Sequence, residues 1–110
     1  MNQEKFKKIN YELIETFLSA GKLCLDLRKK GLKEELKNDR TPVTNGDIEV
    51  NKILIEKISK LTPNIPIVSE ESSKNKKDLN LKDFWLIDPI DGTYDYINNG
   101  EEFTLNAGLI

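Results

Sequence analysis

Apolar residues recur with a helical period through the first thirty positions of the chain. Ile9, Leu13, Phe17, Cys24 and Leu27 fall near one face, and Ile14, Leu18, Ala20 and Leu23 widen it. The spacing predicts a helix over residues 3–30. Gly21 lowers its helicity slightly and allows close packing. Arg28, Lys29 and Lys30 suit the negative end of the helix dipole, and Gly31 suits a C-terminal stop. Leu32 to Leu36 is ambiguous, and a short strand fits it. Asn38 to Pro42 breaks the pattern and reads as a loop. A second helical stripe follows, with Val50, Leu54, Ile58 and Leu61 on the buried side, helped by Ile53. It predicts a helix opened by Thr44-Asn45-Gly46-Asp47 and ending near Leu61.

Two short apolar runs then each end in acid. Ile65-Pro66-Ile67-Val68-Ser69 reads as a buried strand that delivers Glu70-Glu71, with Pro66 near its start where pairing suffers least. Ser72 to Asp78 is polar and basic and reads as a mobile loop. Phe84-Trp85-Leu86-Ile87 suits a strand covered on both faces, and Asp88-Pro89-Ile90-Asp91-Gly92-Thr93 follows at its carboxyl end. Open α/β sheets place ligand sites at that end. Tyr94 to Asn98 suits one helical turn, and Asn98-Asn99-Gly100 is a turn signal. Phe103, Leu105, Ala107 and Leu109 alternate with Thr104, Asn106 and Gly108, which predicts a half-buried strand. That strand reaches Ile110 in mid-pattern, so a larger, truncated sheet is expected.

The acidic turn carries the candidate chemistry. Pro89 pushes Asp88 into an extended conformation. Gly92 removes a side chain where a ligand could approach the backbone. Thr93 could cap a helix whose free N–H groups favour an anion. Asp88 and Asp91 would converge on one small volume. Two like charges about 4 Å apart repel by roughly 4 kcal/mol at an effective dielectric near 20. Either one carboxyl takes a proton or a cation sits between them; the adjoining Gly-Thr favours the cation. A solvated turn that only caps a helix is the plainer alternative. Asp47 has a plain reading too, because Thr44 and Asp47 stand at the spacing of a capping box.

Composition narrows the choices. The chain has 110 residues, 37% hydrophobic and 33% charged, enough for one small globular domain. A net charge of −2 makes no electrostatic case for a nucleic-acid polymer as partner. No apolar run is long enough for a transmembrane segment, and no signal-peptide pattern opens the chain. Lys74, Lys76 and Lys77 form a small basic cluster that reads as a solvated loop. Cys24 is the single cysteine, on an apolar stripe, and there is no histidine. Ser-His-Asp and Cys-His catalysis and most zinc or copper sites are therefore excluded. A metal here must accept oxygen ligands, which points to Mg²⁺, Mn²⁺ or Ca²⁺.

Three stretches in order and spacing carry a family resemblance: Thr41-Pro42-Val43-Thr44-Asn45-Gly46-Asp47, Ile67-Val68-Ser69-Glu70-Glu71, and Trp85 through Thr93. Together they resemble the inositol monophosphatase superfamily of Mg²⁺-dependent, lithium-sensitive phosphatases. Within it the chain is most similar to the CysQ-type 3'(2'),5'-bisphosphate nucleotidases, through Thr41 to Thr44, Leu61 to Pro66 and Gly100 to Asn106. The resemblance implies an α/β (α+β) fold, the N-terminal part of a layered αβαβα sugar-phosphatase architecture. Two long helices would pack on a mixed, mainly antiparallel sheet. Residues 1–110 would be the metal- and phosphate-binding part of a longer domain, inactive or unstable alone.

The resemblance also implies roles. Glu70 would bind the first metal and touch a further one, Asp88 would bridge two metals, the Ile90 carbonyl would bind the first, and Asp91 the second. Gly92 and Thr93 would hold the substrate phosphate by backbone N–H groups, with Asp91 beside it. Asp47 and Thr93 would position and deprotonate the attacking water, with Glu70 assisting. The implied cofactors are two or three Mg²⁺ ions, with Li⁺ inhibition. The implied partner is a small phosphorylated substrate, a nucleotide bisphosphate or sugar phosphate. A homodimer is admitted when full length, and the expected location is cytoplasmic, with a peripheral inner-membrane variant. The branch usually has Lys-Glu-Phe after the Asp-Gly-Thr, where this chain has Tyr94-Asp95-Tyr96. The glycine of the next turn also stands one residue early, and the usual Lys-Arg is missing. Both departures favour the alternative of an inositol or other sugar phosphatase. Two rivals remain: a phosphoaspartate phosphatase, whose acids stand two apart rather than three, and a non-catalytic divalent-metal-binding fragment.

Overall fold

A computed structural model describes residues 2–37, 41–69 and 83–110. Helix α1 (Gln3–Lys30) begins at Asn2, whose side chain accepts the Lys5 N–H at 2.8 Å, and stops at Gly31 with φ 99°. The helix spans the predicted residues 3–30, and its C-terminal stop is the predicted Gly31 after three basic residues; the Asn2 cap was not read from the sequence. Helix α2 (Asn45–Leu61) packs against it and buries Val50, Leu54 and Ile58 completely. The stripe on α1 is only partly covered. Ile9, Leu13, Ala20 and Cys24 are buried, whereas Ile14 and Leu18 are 55% and 70% exposed. They border an open apolar groove of about 700 Å³ that Phe6, Leu13, Trp85 and Leu109 also line. Among the described residues the helix presents more apolar surface than the sheet beneath it covers. No described helix is long and apolar enough to cross a membrane.

Strand β1 (Glu34–Leu36) pairs antiparallel with β2 (Pro42–Thr44) in a two-stranded ribbon, so Pro42 belongs to a strand rather than to the expected loop. Its edge position spares a proline any missing ladder bond. The main sheet has the order β3-β4-β5, with β3 (Ile67–Ser69), β4 (Trp85–Asp91) and β5 (Thr104–Leu109). Strand β3 is shorter than the predicted 65–69. Between β4 and β5, helix α3 (Thr93–Ile97) makes a single turn. On β5 Leu105, Ala107 and Leu109 are half-buried and alternate with exposed Thr104, Asn106 and Gly108, as the period-two pattern predicts.

Strands β3 and β4 run parallel, with Ser69 opposite Ile87, so both carboxyl ends open on the same edge. Strands β4 and β5 are antiparallel, and their register shifts between Asp88 and Asp91. Three steps along β4, from Asp88 to Asp91, oppose two along β5, from Asn106 to Thr104. That is a bulge of one residue, and Pro89 lies inside it, where its missing N–H does no harm. The chain therefore stays extended through Asp91, and the acidic turn expected over Asp88 to Thr93 is confined to Gly92, φ 88°.

The sheet is tied to α2 by Trp85. Its indole N–H donates to Thr62 Oγ1 at 2.9 Å, and the Thr62 hydroxyl donates to the Ile58 carbonyl at 3.0 Å. Thr62→Val leaves the buried indole N–H without a partner and should cost about 1–3 kcal/mol. Urea unfolding followed by Trp85 fluorescence reads this directly, Trp85 being the only tryptophan. Cys24 is fully buried, and that burial pushes its thiol up from 9.0 to about 11, with the Asp47 charge adding to the rise. A raised folded value means the unfolded chain deprotonates first. This contribution to stability is complete below about pH 9 and is lost as pH climbs towards 11. The urea midpoint should fall over that window, and Cys24→Ala should flatten the fall. An unchanged slope in the variant would show that the thiol is not the titrating group.

Candidate active site

The site is assembled from three places: the N-terminus of α2, the carboxyl end of β4, and the first residue of α3. Asp47 is the third residue of α2 and only 1% exposed. Its Oδ2 accepts the Thr44 N–H at 2.8 Å and the Thr44 hydroxyl at 2.7 Å. The Asp47 N–H returns a bond to Thr44 Oγ1 at 3.3 Å, which completes the predicted capping box. The other oxygen, Oδ1, accepts the Thr93 hydroxyl at 3.0 Å, across 46 residues of sequence. Capping and long-range contact therefore use different oxygens of one carboxylate. Burying a charge is expensive unless donors surround it, and here three donors and the positive end of α2 do so.

Thr93 does not cap α3. Gly92 is the N-cap residue, with no side-chain bond, and Thr93 is the first helical position. Its hydroxyl is shared between Asp47 Oδ1 and the Ile90 carbonyl at 3.2 Å. The reason for Gly92 also differs from the expectation. A Cβ there would stand 2.5 Å from the Glu102 carbonyl oxygen and 3.2 Å from Phe103 Cα. The missing side chain makes room for the chain's own residues 102 and 103 rather than for a ligand, and the positive φ excludes other residues independently.

Asp88 is half-buried and Asp91 exposed. Residues three apart on a regular strand face opposite sides of a sheet. The bulge cancels that: their partners Asn106 and Thr104 stand two apart, so Asp88 and Asp91 share a face. Oxygen is the only donor type they and the Ile90 carbonyl offer. That set fits a hard divalent cation such as Mg²⁺ and does not fit zinc or copper. Glu70, the remaining predicted ligand, and its neighbour Glu71 lie outside the described residues, as do Lys74, Lys76 and Lys77. Among the described residues no three carboxylates or thiols converge on one point.

Two contributors were missed from sequence. Asn51 stands one turn beyond Asp47, is 7% exposed, and accepts the Ser69 hydroxyl. One face of α2 thus holds the end of β3 through Asn51 and the start of α3 through Asp47. The signal was a polar residue on an otherwise apolar helical stripe. Tyr96 is completely buried beneath the same helix end; its sequence context suggested only one turn of helix.

Comparison with known proteins identifies the family. The profile of the inositol monophosphatase family matches residues 2–110. The 3'(2'),5'-bisphosphate nucleotidase CysQ of Haemophilus influenzae is 41% identical over 95 residues, covering 83% of this chain and 35% of that protein. The protein of the same name from Buchnera aphidicola is 35% identical over 108 residues, covering 96% of this chain and 41% of its own length. The chain therefore spans about two-fifths or less of these relatives. A crystal structure of an IMPase/NADP phosphatase complexed with Mg²⁺ and phosphate superposes with a TM-score of 0.75 at 21% identity, over 94% of this chain and 40% of that one. At that identity the likeness concerns the fold. With the family profile matched along nearly its whole length, and these relatives beside it, the chain belongs to the inositol monophosphatase family.

Proposed function

We propose that this chain supplies the water-activating and metal-gripping part of a Mg²⁺-dependent phosphatase that hydrolyses adenosine 3',5'-bisphosphate to AMP and phosphate. The observation that carries this reading is the hydrogen bond from the Thr93 hydroxyl to the buried Asp47 carboxylate. The nucleotide assignment is supported by the two relatives named bisphosphate nucleotidase, and the choice of metal by the oxygen-only donor set and the neighbour solved with Mg²⁺ and phosphate.

Asp88, the Ile90 carbonyl and Asp91 would hold the cations together with Glu70. When bound, such cations acidify a water and neutralise charge on the attacking and leaving oxygens. The chain's own groups do the rest. A hydroxyl that donates to Asp47 turns its lone pairs outward, so Thr93 Oγ1 is oriented to take a proton from water. It passes its own proton to Asp47 Oδ1 in the same movement, and the carboxylate ends neutral. The backbone N–H groups of Gly92 and Thr93 would hold the phosphate, with Asp91 beside it. A second reading, a sugar phosphatase, is favoured by the two departures from the branch pattern, of which Tyr94, 73% exposed, stands where the branch usually places a lysine.

Two measurements test this. Mg²⁺ titration of the chain should shift the amide resonances of Ile90 to Thr93, and Asp88→Asn should weaken the response at least about tenfold, the value of one lost charged ligand at roughly 1.4 kcal/mol; no response at millimolar Mg²⁺ would end the metal reading. In the polypeptide carrying this sequence, Asp47→Asn or Thr93→Ala should lower kcat by about 10²–10⁴ with KM little changed. Phosphate release compared between adenosine 3',5'-bisphosphate and inositol 1-phosphate decides between the two substrates.

A further inference from the structure

Helix α1 contributes no group to the candidate site, yet its last turns grip the segment that does. The Tyr96 hydroxyl donates to the Cys24 carbonyl at 2.6 Å. Arg28 donates to the Gly100 carbonyl at 3.0 Å and reaches the Tyr96 carbonyl at 3.5 Å. Its guanidinium lies 5.6 Å from the Tyr96 ring centre and 5.2 Å from that of Phe103, and the two rings are 5.0 Å apart and tilted. Phe103 in turn presses on Gly92, the residue before Thr93. The rings and the guanidinium form one block against the short helix α3.

The block has a second face. A Cβ built on Gly46 would stand 2.6 Å from the Tyr96 hydroxyl oxygen, 2.8 Å from Cε2 and 3.0 Å from Cζ. The tyrosine ring therefore seats directly on the backbone of the residue before Asp47. Tyr96 is three residues after Thr93, and Gly46 is one before Asp47. A single rigid side chain spans the two halves of the Asp47–Thr93 pair from below. The Asp47 charge also helps raise the Tyr96 hydroxyl above its ordinary value, after burial and Cys24, which agrees with that closeness.

We propose that Tyr96 is the positioning residue of the Asp47–Thr93 pair, acting through its seat on Gly46 and its anchor on the Cys24 carbonyl. Its catalytic meaning rests on the water-activating role proposed above for that pair; its geometric content does not. Glycine at position 46 follows from this. Ala normally replaces Gly inside a helix with a gain, but here the methyl group meets a ring that Arg28, Phe103 and Cys24 hold still. The backbone of α2 has to give, and Asp47 moves away from Thr93.

The test reads the Thr93 hydroxyl in the chain itself, through the hydrogen–deuterium isotope effect on its ¹³Cβ resonance, which detects slow hydroxyl exchange. The native chain should show a protected hydroxyl. Gly46→Ala should speed its exchange at least about tenfold, as expected when roughly 1.4 kcal/mol of hydrogen bonding is lost. Tyr96→Leu should do likewise. The double variant Gly46→Ala/Tyr96→Leu should recover protection relative to either single, because the methyl group fills space the ring has left. Should Tyr96→Leu fail to fold, Gly46→Ala/Tyr96→Phe replaces it: removing the hydroxyl oxygen relieves the tightest contact, so partial recovery supports the proposal and equal loss overturns it. Unchanged exchange in Gly46→Ala, or a double variant no better than the singles, also overturns it. A native Thr93 hydroxyl without protection would instead refute the Asp47–Thr93 pair itself. In an active polypeptide Gly46→Ala should lower kcat per folded molecule and leave KM alone; the folded fraction, read from Trp85 fluorescence, separates this from simple loss of stability, which lowers apparent kcat only in proportion to that fraction.

Discussion

A carboxylate 1% exposed to solvent is the constraint on which the rest of this structure depends. Taking an ionised group out of water costs several kcal/mol unless donors replace the lost hydration. Asp47 recovers them from Thr44 twice and from Thr93 once. Each donor is a geometric demand. Thr44 must leave β2 in an extended conformation and begin α2 immediately. Thr93 must arrive from β4 with its hydroxyl inward, which obliges the chain to turn sharply at Gly92. Two segments distant in sequence, β2–α2 and β4–α3, are thus registered on one charge.

The sheet meets those demands with two devices. Parallel pairing of β3 with β4 opens both strands on one edge. The bulge at Pro89 then brings Asp88 and Asp91 to one face. This bears on the rival chemistry in which an aspartate is itself the nucleophile. Two acids two apart on a regular strand already share a face; three apart, they do so only because of the bulge. A register shift that brings two carboxylates to one face suits the shared ligands proposed above better than a lone nucleophile. That arrangement suits the clamp proposed for the metal ions.

Local patterns were legible and long-range ones were not. Gly31 and the Thr44–Asp47 box mark helix ends by chemistry that acts within a few residues, and the structure follows them. The alternation from Thr104 to Leu109 is equally local. Ile14 and Leu18 read as buried because helical periodicity states which side is apolar, not how far a sheet extends beneath it. Thr93 read as a helix cap because Ser and Thr usually cap; that its hydroxyl turns to Asp47 depends on where another helix begins. Gly92 was singled out correctly, but the reason lies in residues 102 and 103, which sequence spacing does not bring near. Tyr96 on Gly46 was invisible for the same reason.

The two oxygens of Asp47 are not equivalent, and this bears on how the pair would move a proton. Oδ2 accepts two donors, at 2.8 and 2.7 Å, both from Thr44 and both within the same helix end. A proton placed on that oxygen would displace one of these two donors. Oδ1 accepts the Thr93 hydroxyl at the slightly longer 3.0 Å. In the proposed relay a proton handed over by Thr93 would land on the oxygen that already faces it, and the capping box would stay intact. One carboxylate can hold α2 in place and change its charge because each task has its own oxygen, a separation that an asparagine, which keeps the cap's carbonyl but cannot take up a proton, does not reproduce.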